Sequence, residues 1–156
     1  VPVPRYVLFA ILLTAIMWFI WNKTTFGKNM FALGSNEEAA RVSGVNVFAV
    51  TIGVFALAGA MYGFTGFIEG ARVASNTANT GLNYELDAIA ACVIGGVSFV
   101  GGIGKIRGIV IGVLMLRLIF VGLLMVGVPQ DLQYLIKGGI ILFACALDMR
   151  NYLVKK

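Results

Sequence analysis

Histidine is absent from this chain of 156 residues. That removes the usual general base and the commonest metal ligand, and with them most hydrolytic and metal-centred chemistry. Charge is scarce too, at 12% against roughly 25% in soluble domains, while 60% of residues are hydrophobic. A soluble domain of this size could not hide so much apolar surface. Only two cysteines occur, Cys92 and Cys145, far apart within apolar stretches. They read as small buried hydrophobes, not as a disulfide or a metal pair. No basic n-region with a small-residue cleavage site marks a signal peptide, and Val1-Pro2-Val3-Pro4 reads as an extended entry to a helix. The chain is taken as a fragment of something longer.

What is present is glycine, 20 of them, and long apolar runs. About 20 residues at ~1.5 Å each cross a ~30 Å hydrocarbon core. Five candidate spans follow, at residues 6–22, 47–68, 86–104, 108–127 and 132–147. The expected fold is an all-α polytopic transmembrane bundle embedded in a lipid bilayer. Gly95-Gly96 and Gly101-Gly102 leave it open whether the third segment fully spans or is broken, and Lys137 interrupts the fifth.

Basic residues orient the spans. Lys23, Lys28, Arg41, Lys105, Arg107, Arg150, Lys155 and Lys156 fall on one side if all five segments cross, against Arg5 and Arg72 on the other. The positive-inside rule then makes residues 23–46 and the C-terminus cytoplasmic. The net charge of +5 is spread over several loops, so nucleic-acid binding is not indicated.

Small-xxx-small spacing at Gly59 and Gly63, and again at Gly104, Gly108 and Gly112, marks helix packing surfaces, to which Gly95 and Gly96 are added. Arg117 lies mid-span, where an arginine costs on the order of 2.5–3.5 kcal/mol. It is expected to face a partner, a neighbouring carbonyl or water, with Glu85 or Asp87 as candidate counter-charges, as pathway lining or as a paired structural charge. Lys137, nearer an end, is expected to snorkel. Glu69, Arg72, Asn76, Tyr84, Glu85 and Asp87 cluster around an extracytoplasmic loop. They could contact a sugar or a binding protein, or simply be a solvated loop.

The most legible stretch joins the first two spans. Ser35 with Glu38 forms a capping-box pattern, Glu37 and Glu38 suit the positive end of a helix dipole, and Glu37 can pair with Arg41. Gly44 stands where a left-handed C-terminal residue is wanted. The expected helix has about two turns, too short to be stable alone, with a small face of Ala39, Ala40 and Ser43. It should dock on a partner protein or rest as an amphipathic connector at the membrane surface.

Glu38-Ala39-Ala40-x-x-x-Gly44 resembles the coupling loop of permeases in ATP-binding-cassette importers. With Asn22–Lys28, Gly44–Val47, Tyr84–Ala91 and Val93–Ser98, it resembles the ribose/xylose/galactose permease family in particular. Phe67–Arg72 and Asn76 are most similar to its galactose-importing branch. The resemblance covers the C-terminal half of such a permease. It implies a cytoplasmic ATPase subunit contacting Ser35, Glu37, Glu38, Ala39, Ala40, Arg41 and Gly44. It also implies a periplasmic sugar-binding protein, a second permease subunit in a homodimer, a bacterial inner membrane, and no cofactor or metal. Lys105 and Arg117 depart from the family pattern. No catalytic residue is found; Gly104-Lys105-Ile106 only echoes a phosphate loop, lacking the following Ser or Thr. An ion-coupled secondary transporter or channel, and a membrane assembly protein without a transport path, are the rival classes.

Overall fold

A computed structural model describes residues 5–77 and 79–154. The expected extended entry at residues 1–4 and the basic pair Lys155 and Lys156 lie outside the described residues. Regular structure among those described is entirely helical: α1 (Arg5–Lys23), α2 (Thr25–Ser35), α3 (Glu37–Val42), α4 (Val47–Val73), α5 (Tyr84–Ile94), α6 (Ile106–Met125) and α7 (Gln130–Val154). The chain divides into two compact units at Thr80.

Four helices are long and apolar enough to cross a membrane: α1, α4, α6 and the Gln130–Arg150 part of α7. The apolar side chains face outward. Phe48, Phe55, Tyr62, Phe67, Leu118 and Leu142 are all exposed, and the buried hydrophobics among described residues are only Ala40, Val50, Ala90, Ala91 and Leu116. Such a surface needs lipid or other helices as its solvent. The protein is multi-pass.

The third expected segment, left open between a full span and a broken one, holds a short helix. Helix α5 has 11 residues, ~16 Å of rise, about half a hydrocarbon core. It stops because Gly96 takes a left-handed φ of 81°, and residues 95–105 form a loop. Residues 23–46, read as a loop with one helix, hold two.

In the first unit, local caps set the path. Thr24 interrupts α1 and starts α2: its hydroxyl donates to the Ile20 carbonyl at 2.6 Å and accepts from the Gly27 amide at 3.1 Å. Asn46 starts α4 by accepting from the Ala49 amide at 3.0 Å. Edge-on aromatic pairs, Phe9 with Phe64 and Trp21 with Phe31, join α1 to α4 and to α2. Gly59 and Gly63, expected as a packing face, have nothing within 4 Å of where a Cβ would stand. The spacing exists, but among the described residues of this unit no helix fills it.

In the second unit the glycines do pack. A Cβ on Gly95 would lie 2.6 Å from the Gly108 carbonyl, and one on Gly112 would strike the Ala91 carbonyl and sit 2.8 Å from the Gly95 amide nitrogen. Backbone meets backbone there, which only glycine permits. The pairs 95 with 108 and 91 with 112 show α5 and α6 running antiparallel. Ala90, Ala91 and Leu116 form the small core, with Ile94, Phe120 and Ile141 against it. Gly96 belongs to the turn and not to this packing surface, since nothing approaches it.

Candidate functional site

Helix α3 is built from three devices. Asn36 caps its start, accepting from the Ala39 amide at 3.0 Å, while its own amide still donates to Ala32 of α2 at 3.1 Å. Ser35, expected as the cap, is instead the last residue of α2. At the far end Gly44 adopts a φ of 83°, so its amide reaches the Arg41 carbonyl and that of Val45 reaches Ala40. Both bonds satisfy carbonyls that a helix end would leave orphaned. Glu37 accepts from Arg41 at 3.3 Å, as the spacing required.

Six residues cannot hold a helix without such ends and a surface to rest on. The surface is internal. Ala40 is 3% exposed, turned inward, while it was expected among the docking contacts. Glu37, Glu38, Ala39, Arg41 and Ser43 remain exposed. Val42 is the residue the sequence reading passed over. It stands 89% exposed, an apolar side chain on the outer face of a charged helix. A β-branched apolar residue between Arg41 and Ser43, off the small face, was the available signal.

The charged residues sort differently from expectation. Asp87 pairs with Lys137, its Oδ1 lying 2.5 Å from Nζ, and the ammonium stands 4.7 Å from the Phe120 ring centroid and 5.2 Å from that of Tyr134. Lys137 is 9% exposed and does not snorkel. These three groups already enclose it, so reaching an interface would separate charges held by low dielectric. Arg117 meets neither Glu85 nor Asp87. It is exposed on α6, with no ion pair among the described residues, because α5 packs on the opposite, glycine-bearing face of α6. Glu69 and Arg72 form a two-point pair, Nε to Oε2 at 3.1 Å and Nη2 to Oε1 at 2.6 Å, and Asn76 folds back over Gly70. Tyr84, Glu85 and Asp87 share the first turn of α5 in the other unit.

A family model described as "Branched-chain amino acid transport system / permease component" matches residues 2–145. The chain belongs to this family. Relatives include the galactose/methyl galactoside import permease of Salmonella typhimurium, 53% identical over 148 residues, 95% of this chain and 44% of that protein. Its counterpart in Treponema pallidum is 50% identical over 156 residues, 100% of this chain and 29% of that protein. The xylose transport system permease of Haemophilus influenzae is 42% identical over 149 residues, 96% of this chain and 40% of that protein. No solved structure matches. The chain thus spans less than half the length of the curated relatives it matches.

Helix α3 is thus exposed on one side and held on the other, where Ala40 is buried. Nothing on α3 can act as a nucleophile with a base. What it offers is shape, the Glu37–Arg41 pair, the Glu38 carboxylate and the apolar Val42.

Proposed function

We propose that this chain is part of the membrane-spanning subunit of an ATP-binding-cassette importer for a monosaccharide, with galactose or methyl galactoside favoured over ribose or xylose. The observation that carries it is α3, a capped helix between α1 and α4 whose Glu38 and Val42 stand exposed on its outer side. A separate ATPase subunit binds α3 through Glu37, Glu38, Ala39, Arg41 and Val42, with Ser35 and Gly44 fixing the helix ends. The sugar follows from the names of the relatives. The basic residues of 23–46 favour the cytoplasmic side of a bacterial inner membrane for α2 and α3.

On the other side, a periplasmic sugar-binding protein delivers substrate near Glu69, Arg72, Asn76, Tyr84, Glu85 and Asp87. Carboxylates, amides and an aromatic ring are groups that hold sugar hydroxyls and ring faces. A second permease subunit completes the pathway in a homodimer, and Arg117 faces protein or water along it, because lipid at that depth is costly for a guanidinium. Movement of the ATPases shifts α3 and, through it, α4.

The test is reconstitution of the full-length permease with its ATPase and binding protein in vesicles. Glu38→Lys and Gly44→Val should abolish ATP-driven galactose uptake while the permease still inserts. Normal galactose import by both variants would refute the coupling role of α3. Uptake driven by an ion gradient without ATP would refute the importer class.

A further inference from the structure

A carboxylate far along the sequence fastens the loop that follows α5. Asp148, near the C-terminal end of α7, presents Oδ2 2.7 Å from the Ser98 hydroxyl and 2.8 Å from the Phe99 amide, and both donate to it. Ser98 is the pivot of that loop. Its amide donates to the Ile103 carbonyl at 3.0 Å, and its hydroxyl oxygen accepts from the Val100 amide at 3.2 Å. Remove the acceptor at 148 and the loop loses its tie to α7.

Helix α5 itself is also fastened to α7. Asp87 meets Lys137 at 2.5 Å. The step from Asp87 to Ser98 is 98 − 87 = 11 residues, and from Lys137 to Asp148 it is 148 − 137 = 11 residues. α5 with its loop therefore runs alongside α7 in the same direction, held at two points ~16 Å apart along α7. A hinge between them would need one end free. Neither is, and α6 is held to α5 by backbone contact at Gly95, Gly108 and Gly112.

We propose that Asp148 is a positioning residue for transport, locking the Ser98–Ile103 loop to α7 so that α5, the loop and α7 move as one body through the ATP-driven cycle. This rests on the reading of the chain as part of an ATP-driven permease. Both donors converge on one oxygen, so the role requires an acceptor and not a charge. An asparagine carbonyl can serve; an alanine cannot.

The test uses the full-length permease, its ATPase and its binding protein in vesicles, with every native cysteine of the permease, Cys92 and Cys145 included, replaced by alanine. Ser98→Cys with Asp148→Cys then replaces the hydrogen bond by a disulfide that can be opened. The readout is labelled galactose taken up per ATP hydrolysed, which loss of folded protein alone does not change. The reduced pair should fall about tenfold, the order that one unmet donor represents, and oxidation should restore it to within about twofold. Uptake that is blocked when oxidised and normal when reduced would overturn the proposal, since α5 and α7 would then have to part. Equal uptake in both redox states would overturn it as well. Should the disulfide not form in the assembled complex, Asp148→Asn and Asp148→Ala decide. Near-normal coupling for Asn with about a tenfold loss for Ala supports the role; Ala equal to the native protein, or Asn as poor as Ala, refutes it. Failure of the importer reading looks different, because then the native complex itself shows no ATP-dependent uptake.

Discussion

Replacing Lys137 by methionine removes an ammonium while keeping most of its stem. The pair it leaves behind is unequal. Lys137 has 11% of its side chain exposed and Asp87 has 36%. Breaking a fully buried pair costs about 3–5 kcal/mol, because the remaining charge has lost both water and partner. The partly open Asp87 recovers some solvation, so Lys137→Met should cost about 2 kcal/mol. Asp87→Leu strands the better-enclosed ammonium and should cost about 3 kcal/mol, the Phe120 and Tyr134 faces returning only part of the loss. The double variant leaves no stranded charge and should cost no more than about 2 kcal/mol, giving a coupling energy near 3 kcal/mol, the upper end for contacting residues. The assay is SDS titration of the purified full-length permease in mixed micelles, followed by helicity. A coupling below about 0.5 kcal/mol, or a Lys137→Met protein more stable than the native one, would refute the claim that this pair joins α5 to α7.

Gly112→Leu should drive α5 off α6 and cost about 3 kcal/mol in the same titration, since its Cβ would collide with the Ala91 carbonyl and Gly95. Asn36→Ala should lower helix stability by about 1 kcal/mol and weaken co-purification of the ATPase about fivefold, as α3 loses its N-terminal cap. Val42→Glu should weaken that co-purification at least as much while leaving the SDS midpoint within about 0.5 kcal/mol, because the side chain is 89% exposed. Arg117→Leu should favour membrane insertion of isolated α6 by about 2.5 kcal/mol or more, measured by glycosylation of flanking tags.

The class, the membrane setting and all four of the long apolar helices were legible because each follows from composition over many residues. Gly44 and the Glu37–Arg41 pair were legible because each is local. Ser35 misled for the same reason. Ser35-x-x-Glu38 is a good cap pattern, but the window does not show that α2 runs through Ser35 and leaves the role to Asn36. The end of α5 was only half legible. Gly95-Gly96 warned of a break, yet the residues after it are apolar enough to pass for more helix. Long-range pairing was not legible at all. Nothing in the spacing of Asp87, Arg117 and Lys137 says which cation the carboxylate meets, since α5 packs on the glycine face of α6 and Arg117 points elsewhere. The spacing of Gly59 and Gly63 shows that a close approach is possible without naming the partner.

The joints around α3 bear on how a push could travel. Asn36 is at once the last hydrogen-bonded amide of α2 and the cap of α3, so the two helices meet at a single residue with both its polar ends occupied. At the other side only residues 43–46 separate α3 from α4, and Asn46 fastens the new helix within one turn. A flexible linker in either place would let α3 swing without moving its neighbours. Here displacement of α3 must turn α2 or α4, unless bonds at Asn36, Gly44 or Asn46 break first. Ala40, buried beneath it, resists tilting in place. A lever needs stiff joints more than a large contact area. On the proposed coupling role, a helix of six residues would suffice, and the cap residues should matter to coupling as much as the exposed side chains proposed to meet the ATPase.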